Sequence, residues 1–207
     1  MAGSFVTIVN PGYSALFTRD LTAVSNSNIS SSASVNLFDP DVTNPLQEGE
    51  WLQIDSNYKF SRGAGLGGAV TGSGTATALQ YCEDAQNVPA SAPCFMYFQE
   101  RGRYDAQVTR KAHCIVGPAG FEFRTKMIVT SQRGTSASVG DRVFVVVCED
   151  SSGRLVQALI AESVFDAIAT AVTAVPAMTD AAWCAGVITR IHGTNDCTVL
   201  FQPGYHG

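Results

Sequence analysis

The sequence is short of charge. Lys, Arg, Asp and Glu make up 15% of its 207 residues, against about 25% in an ordinary soluble domain. Thirteen Lys and Arg stand against eighteen Asp and Glu, a net charge of −5, and there is no Lys/Arg-rich run. A nucleic-acid footprint needs a basic patch or stripe, so nucleic acid is not expected as a partner. Long surface helices draw on Glu, Lys and Leu. This chain has 19 Gly among many Ser, Thr, Ala and Val residues, a mixture that suits strands and turns.

Targeting and membrane signals are missing as well. "MAGSFVTIVN" has no basic n-region and no long apolar core, so it does not read as a signal peptide. The longest apolar stretch, residues 158 to 178, is interrupted by Glu162, Asp166 and Pro176. It does not read as a membrane span, and no membrane partner is expected.

Catalytic signatures are equally sparse. No G-x-S-x-G elbow occurs, and the only histidines are His113 in a strand-like run, His192 beside a turn and His206 near the C-terminal end. One glycine match exists: Gly63, Gly65 and Gly68 in "RGAGLGGAVTGSGTA" fit G-x-G-x-x-G. A dinucleotide site needs a strand before that match and a helix opening at its end, so that free N–H groups face the pyrophosphate. Gly72 and Gly74 follow at once and deny the helix. Glu83 and Asp84 stand at a suitable distance downstream, but spacing without the helix carries no weight. The stretch reads as a glycine-rich loop, and no cofactor is expected. Asp39, Asp41, Asn44, Glu48 and Glu50 crowd a Pro-containing segment. Oxygen donors suit calcium, but the glycine that an EF-hand turn needs is missing. A solvated acidic loop, without metal, is expected. Asn28-Ile29-Ser30 matches a glycosylation acceptor, which means little without a signal peptide.

Six cysteines stand at 82, 94, 114, 148, 184 and 197, with no C-x-x-C. Their wide gaps do not resemble zinc-site spacing. Two readings stay open: small buried hydrophobes, or disulfides, for which six cysteines allow 15 pairings. Cys148 in "VFVVVC" fits burial. Cys82 and Cys94 flank the turn-rich "EDAQNVPASAP" and are the preferred pair if a bridge forms. Cys184 and Cys197 do not suit each other, because a turn over 193 to 196 places Cys197 opposite His192.

Most of what is present reads as strand. "SFVTIVN" opens the chain with the apolar residues Phe5, Val6, Ile8 and Val9 before the Pro11-Gly12 turn. It is expected to add to a sheet of this chain or of a neighbouring copy. Residues 25 to 36 are polar and of low complexity, and residues 39 to 50 carry two X-Pro steps that favour extended backbone. Residues 1–48 thus read as an N-terminal strand and assembly arm, or as a long loop. "LQIDSNYKF" and "GFEFRTKMIVTS" alternate with period 2. "PCFMYFQ" and "KAHCIVG" are apolar runs. "DRVFVVVCED" and "RLVQALI" form a hairpin across Asp150 to Gly153, and residues 183 to 204 form a second, turning at Gly193 to Asp196. One short helix is expected in "SVFDAIATAVTAV", where Val164, Phe165, Ile168, Val172 and Val175 recur at helical spacing. Ser163 or Asp166 is its expected cap and Pro176 its end.

"EGEWLQIDSNYKFSRG", "TKMIVTSQRGTSASVGDRVFVVVCEDSSGRL" and "WCAGVITRIHGTNDCTVLFQPGYHG" resemble head decoration (cement) proteins of tailed bacteriophages. The shared text is a Gly-Asp before a long apolar strand, a D-x-x-G hairpin and a closing Gly-led strand with a short tail. The resemblance covers about the last three quarters of the chain. It implies a mainly β fold, an antiparallel β-barrel or β-tulip over residues 49–207. It also implies a virion protein, commonly a homotrimer, that binds the major capsid protein on the capsid outer surface and stabilises it. No enzyme activity and no small-molecule substrate are expected. The alternatives are another virion part, such as a tail or tail-fibre protein, and a glycan-binding or hydrolytic β-domain.

Overall fold

The computed structural model describes residues 6–10, 15–20, 47–54, 60–61, 76–83, 94–97, 111–116, 120–151, 153, 155–171 and 182–203. The strands of the N-terminal half are β1 (Val6–Asn10), β2 (Ala15–Asp20), β3 (Trp51–Ile54), β4 (Phe60–Ser61), β5 (Gln80–Tyr81), β6 (Cys94–Tyr97) and β7 (Lys111–Val116). Those that follow are β8 (Glu122–Thr125), β9 (Ile128–Val129), β10 (Ser131–Gln132), β11 (Thr135–Ser136), β12 (Arg142–Glu149), β13 (Leu155–Ala161), β14 (Cys184–Gly193) and β15 (Asp196–Phe201). One helix, α1, spans Glu162–Ala171. The chain is mainly β, as its composition and alternation imply.

The centre is the β12–β13 hairpin. Its antiparallel register runs through seven pairs from Val143↔Ala161 to Glu149↔Leu155. Every residue of β13 is buried, and of β12 only Arg142 is not. Continuous apolar runs of this kind belong to strands covered on both faces. Alternation places Phe144, Cys148, Val156 and Ile160 on one face. Tyr81 of β5 pairs with Cys148 and so shares that face, where it meets Phe165 of α1 at 5.3 Å between ring centroids. The helix buries Val164, Phe165 and Ile168, which are spaced to lie on one side of it. The other face carries Val143 and Val145. Trp183 lies opposite Val145, whose N–H donates to the Trp183 carbonyl at 3.0 Å. Trp51 of β3 packs there against Trp183 at 5.6 Å and Phe201 at 6.3 Å.

Two sheets result. The larger runs β1-β8-β15-β14-β12-β13-β9, with β5 also on β12. The smaller runs β2-β7-β6-β3-β4. Trp51, Cys94 and Met96 of the smaller sheet join the main core cluster. Leu52, Phe60, Tyr97 and Cys114 form a second cluster, with Leu52 on the face of β3 opposite Trp51.

The barrel expectation needs correction. Only Lys126 and Met127 separate β8 from β9 in the chain, yet β8 pairs with β15 and β9 pairs with β13. The ends of the path β8-β15-β14-β12-β13-β9 are therefore one continuous stretch of chain. The sheet curls back on itself through a kink, held where the Met127 N–H donates to Thr125 Oγ1 at 2.9 Å. No ladder joins β8 to β9 among the described residues, so this is a curled open sheet and not a closed barrel. The β9–β13 pairing is parallel, so the sheet is not wholly antiparallel either.

Other expectations also meet the structure here. β1, which contains Val6, Ile8 and Val9, pairs with β8 of its own chain, and β2 pairs with β7. The N-terminal segment thus contributes a strand to each sheet. Phe5 lies outside the described residues. "LQIDSNYKF" is not one strand: β3 and β4 pair with each other, and Gln53, expected outward, is buried because its face of β3 meets the other sheet. The helix begins at Glu162, directly at the end of β13. The expected caps Ser163 and Asp166 lie inside it, and Val172, Val175 and Pro176 lie outside the described residues.

Two positions test this packing. Between β12 and β14 a bulge makes Ala185 the extra residue, and Gly186 takes φ +155°. A Cβ on Gly186 would collide with the Leu200 carbonyl oxygen, a backbone atom that cannot swing aside. Gly186→Ala is expected to destabilise the fold by about 3 kcal/mol or more, measured by denaturant unfolding. Gln157 has the opposite sign. It is 2% exposed in β13, and neither its Nε2 nor its Oε1 has a hydrogen-bond partner among the described residues. Gln157→Met keeps the length and removes both unpartnered atoms, so it is expected to raise stability by about 1–3 kcal/mol. A lower denaturation midpoint for that variant would contradict this account.

Candidate functional site

Cys82 and Cys94, the preferred pair if a bridge forms, stand as thiols here, and of the six cysteines only Cys82 is less than buried. Cys82 follows β5 in the larger sheet, where its N–H donates to the Val147 carbonyl. Cys94 lies on β6 in the smaller sheet, 4.0 Å from Gln53 Nε2. Cys82 thus follows a strand of the larger sheet and Cys94 opens a strand of the smaller one. Burial pushes the Cys94 thiol up to about 12 and the Cys197 thiol up to about 11. It also raises Cys114, Cys148 and Cys184. The thiolate is the nucleophile and the metal ligand, so these five side chains behave as the small hydrophobes of the burial reading.

Among the described residues the remaining sequence candidates do not converge. His113 lies on β7. His192 lies on β14, its Nε2 2.9 Å from Thr198 Oγ1. His206, Gly63, Gly65, Gly68, Asp84, Asp39, Asp41, Asn44 and the Asn28 acceptor lie outside the described residues. Glu50, the last of the acidic loop, is buried, and its Oε1 accepts from the Gln47 N–H at 2.6 Å. Gln47 Nε2 in turn donates to Asp150 at 3.0 Å, which ties this turn to the β12–β13 turn. No group of three or more metal-binding side chains occurs among the described residues.

What the structure does assemble is a rigid rim. Among the described residues two large apolar side chains are exposed, Val139 at 63% and Ile191 at 37%. Val139 sits in the turn that leads into β12. There the Asp141 N–H donates to the Ser138 carbonyl at 3.2 Å, the Ser138 N–H donates to Asp141 Oδ2 at 3.0 Å, and Gly140 takes φ +97°. The Gly140 N–H donates to the Ile188 carbonyl and the Ile188 N–H to the Asp141 carbonyl, both at 2.9 Å, so the turn is clamped to β14. Ile191 lies just beyond. β12 covers β14 only as far as this clamp, and every residue from Thr189 to Thr194 is exposed.

Thr130 fastens both parts. Its carbonyl accepts from the Ala137 N–H at 2.8 Å, which holds the Val139 turn. Its N–H donates to Asn195 Oδ1 at 3.1 Å, and its Oγ1 accepts from the Asn195 N–H at 2.7 Å. Asn195 takes φ +54°, where Asn is tolerated, and its Nδ2 reaches the Leu79 carbonyl at 3.1 Å. The tip of the β14–β15 hairpin is thereby pinned across the curl of the sheet.

Charge flanks the rim unevenly. On the hairpin side Arg124 pairs with Asp196 through two bonds of 2.7 and 2.6 Å, and these bonds hold the Asp196 carboxyl below its usual range. Lys126 and Arg190 stand exposed nearby. On the helix side Ser163 Oγ donates to Asp141 Oδ2 at 2.5 Å. Arg142 forks onto Glu162, lies over the Phe144 ring and lowers the Glu162 carboxyl. Asp166 is raised, first by burial and then by the Glu162 charge.

Sequence reasoning missed this rim. The contact that builds it joins residues 65 apart, with no local signal beyond an Asn in a turn.

Thr130→Val keeps the shape and removes the acceptor for the Asn195 N–H. It is expected to cost about 1–3 kcal/mol. Amide exchange at Asn195 should accelerate by more than the global loss of stability explains, while Ala137, whose N–H bonds to the backbone carbonyl of residue 130, serves as the internal control. Unchanged exchange at Asn195 would show that the Thr130 side chain does not hold the hairpin tip.

Compared with known proteins, the chain matches no family model, no curated protein and no solved structure.

Proposed function

We propose that this protein is a structural subunit of a tailed-phage virion, one that binds the outer surface of the capsid and stabilises it. The observation that carries the reading is the rim: two exposed apolar side chains on a hydrogen-bonded clamp, flanked by charges of both signs. An apolar centre with a polar border is the anatomy of a protein–protein contact, and a surface fixed before binding loses little entropy on docking. The strand-and-turn text shared with capsid decoration proteins supplies the kind of partner, the major capsid protein. The work done is broad contact repeated over many copies, where avidity raises the strength of attachment.

Particles lacking the protein are expected to release their contents at lower temperature or milder osmotic shock than particles carrying it. Val139→Asp and Ile191→Asp should weaken attachment to such particles, measured by co-sedimentation, while leaving the thermal melt of the free protein nearly unchanged. Equal particle stability with and without the protein would overturn the reading and move weight to a tail or glycan-binding role.

A further inference from the structure

The face of the larger sheet that turns away from the aromatic core gathers positive charge, and the register sets it out. Arg190 of β14 pairs with Thr198 of β15, and Thr198 pairs with Arg124 of β8. Residues paired across a ladder share a face, so Arg124, Thr198 and Arg190 form one row over three strands. Neighbouring strands lie about 4.8 Å apart, which sets the two arginine Cα atoms about 10 Å apart with the threonine between them. His192, the extra residue of the second bulge in β14, joins the row, because its Nε2 lies 2.9 Å from Thr198 Oγ1. Ile191 pairs with Cys197 and so belongs to the opposite face. The rim's apolar pair takes no part here.

One step toward the hairpin tip, the Cys197↔Thr125 register brings Asp196 level with Lys126. The two bonds from Arg124 hold the Asp196 carboxyl below its usual range, and the charges of His192 and Lys126 add to this. Asp196 is thus an oxyanion already seated among these cations, and it does not use them up. Arg190 and Lys126 make no ion pair among the described residues. Arg124, Lys126, Arg190 and His192 are all exposed. The next carboxylate, Glu122, stands in the row beyond, opposite Leu200. In a chain of net charge −5, a face with cations to spare is a local arrangement and not the average of the surface.

We infer that this face binds a phosphate or sulfate group, seated over Thr198 between Arg190 and Arg124. Arg190 brings five unengaged N–H donors in a planar fork that fits two oxygens of a tetrahedral oxyanion. Lys126 and His192 border the same place. Two unpaired cations match the double charge of the ligand. The inference does not depend on the capsid reading, which uses the other face of β14.

Titration of the labelled full chain with sodium phosphate or sulfate at constant ionic strength, followed by amide NMR, tests it. Saturating shifts are expected at Arg124, Lys126, Arg190, His192 and Thr198. Arg190→Gln should weaken binding by about three- to tenfold. Asp196→Asn removes the competing carboxylate and releases Arg124, so it should tighten binding by about the same factor. Damage to the fold cannot imitate a gain in affinity. Arg133→Gln, which alters a cation held by Glu83 elsewhere, should change nothing. Glycerol phosphate separates the sources: tighter binding than inorganic phosphate assigns the group to a larger ligand, and equal binding assigns it to the free ion. Shifts that fail to saturate, shifts spread over the whole chain, or weaker binding by Asp196→Asn would each overturn the site.

Discussion

A strand pair buried on both faces demands a cover for each. β12 and β13 are that pair, and the rest of the fold follows from covering them. One face receives α1, which starts with no intervening loop at the end of β13 and drops Val164, Phe165 and Ile168 onto the sheet. The other receives the aromatic group of Trp51, Trp183, Phe121, Phe123 and Phe201, whose centroids lie 4.8 to 6.4 Å apart in the close pairs. Such rings bury large apolar areas with few rotatable bonds. Trp51 of β3, with Cys94 and Met96 of β6, brings the smaller sheet into the same core.

The same demand explains the curl. Continuous apolar text in "VFVVVC" and "LVQALIA" cannot sit at the edge of a flat sheet. β14 and β5 flank β12, and β9 flanks β13, so the pair has neighbours on both sides. The chain reaches both sides of the pair because it kinks at Thr125 to Met127 and serves first beside β15 and then beside β13. Pinning the β14–β15 tip to Thr130, immediately after β9, then ties together parts of the sheet that are far apart in sheet order. This tie leaves the distal half of β14 exposed without leaving it loose.

Legibility in the sequence followed the range of the interaction. The β12–β13 hairpin was readable because its signal is local: an apolar run, then Asp150 and Gly153, then a second apolar run. The Gly153 N–H does donate to the Asp150 carbonyl at 2.9 Å, with Gly153 at φ +76°. The helix was readable from its 3.6-residue spacing, and the β14–β15 turn from its polar residues. The kink was not readable, because "FEFRTKM" keeps one parity up to Met127 with only Thr125 out of step, and pairing to two different strands is what divides the stretch. Register failed by one residue where a bulge intervened. Cys197 lies opposite Ile191 and not His192, since His192 is itself the extra residue. The arrangement of the candidate site failed altogether. Val139 looks like any Val in a Ser- and Gly-rich turn, and its exposure depends on clamps to Ile188 and Thr130.

The exposed segment also has to be reconciled with solubility. A strand edge bearing Ile191, beside an exposed Val139, is a liability for uncontrolled pairing. The chain carries few charges to suppress it, at 15%. Protection comes instead from shape and placement. Bulges bracket Ile191, Arg190 occupies the edge, and the hairpin tip is pinned so that it cannot flatten into a template for another strand. These features reject a passing strand but do not hide the apolar pair from a partner that brings shaped side chains and matching charge. The geometry that makes the edge poor for aggregation therefore also makes the surface selective. One physical arrangement serves both ends: an exposed edge, out of register with any simple ladder, held rigid by a buried threonine.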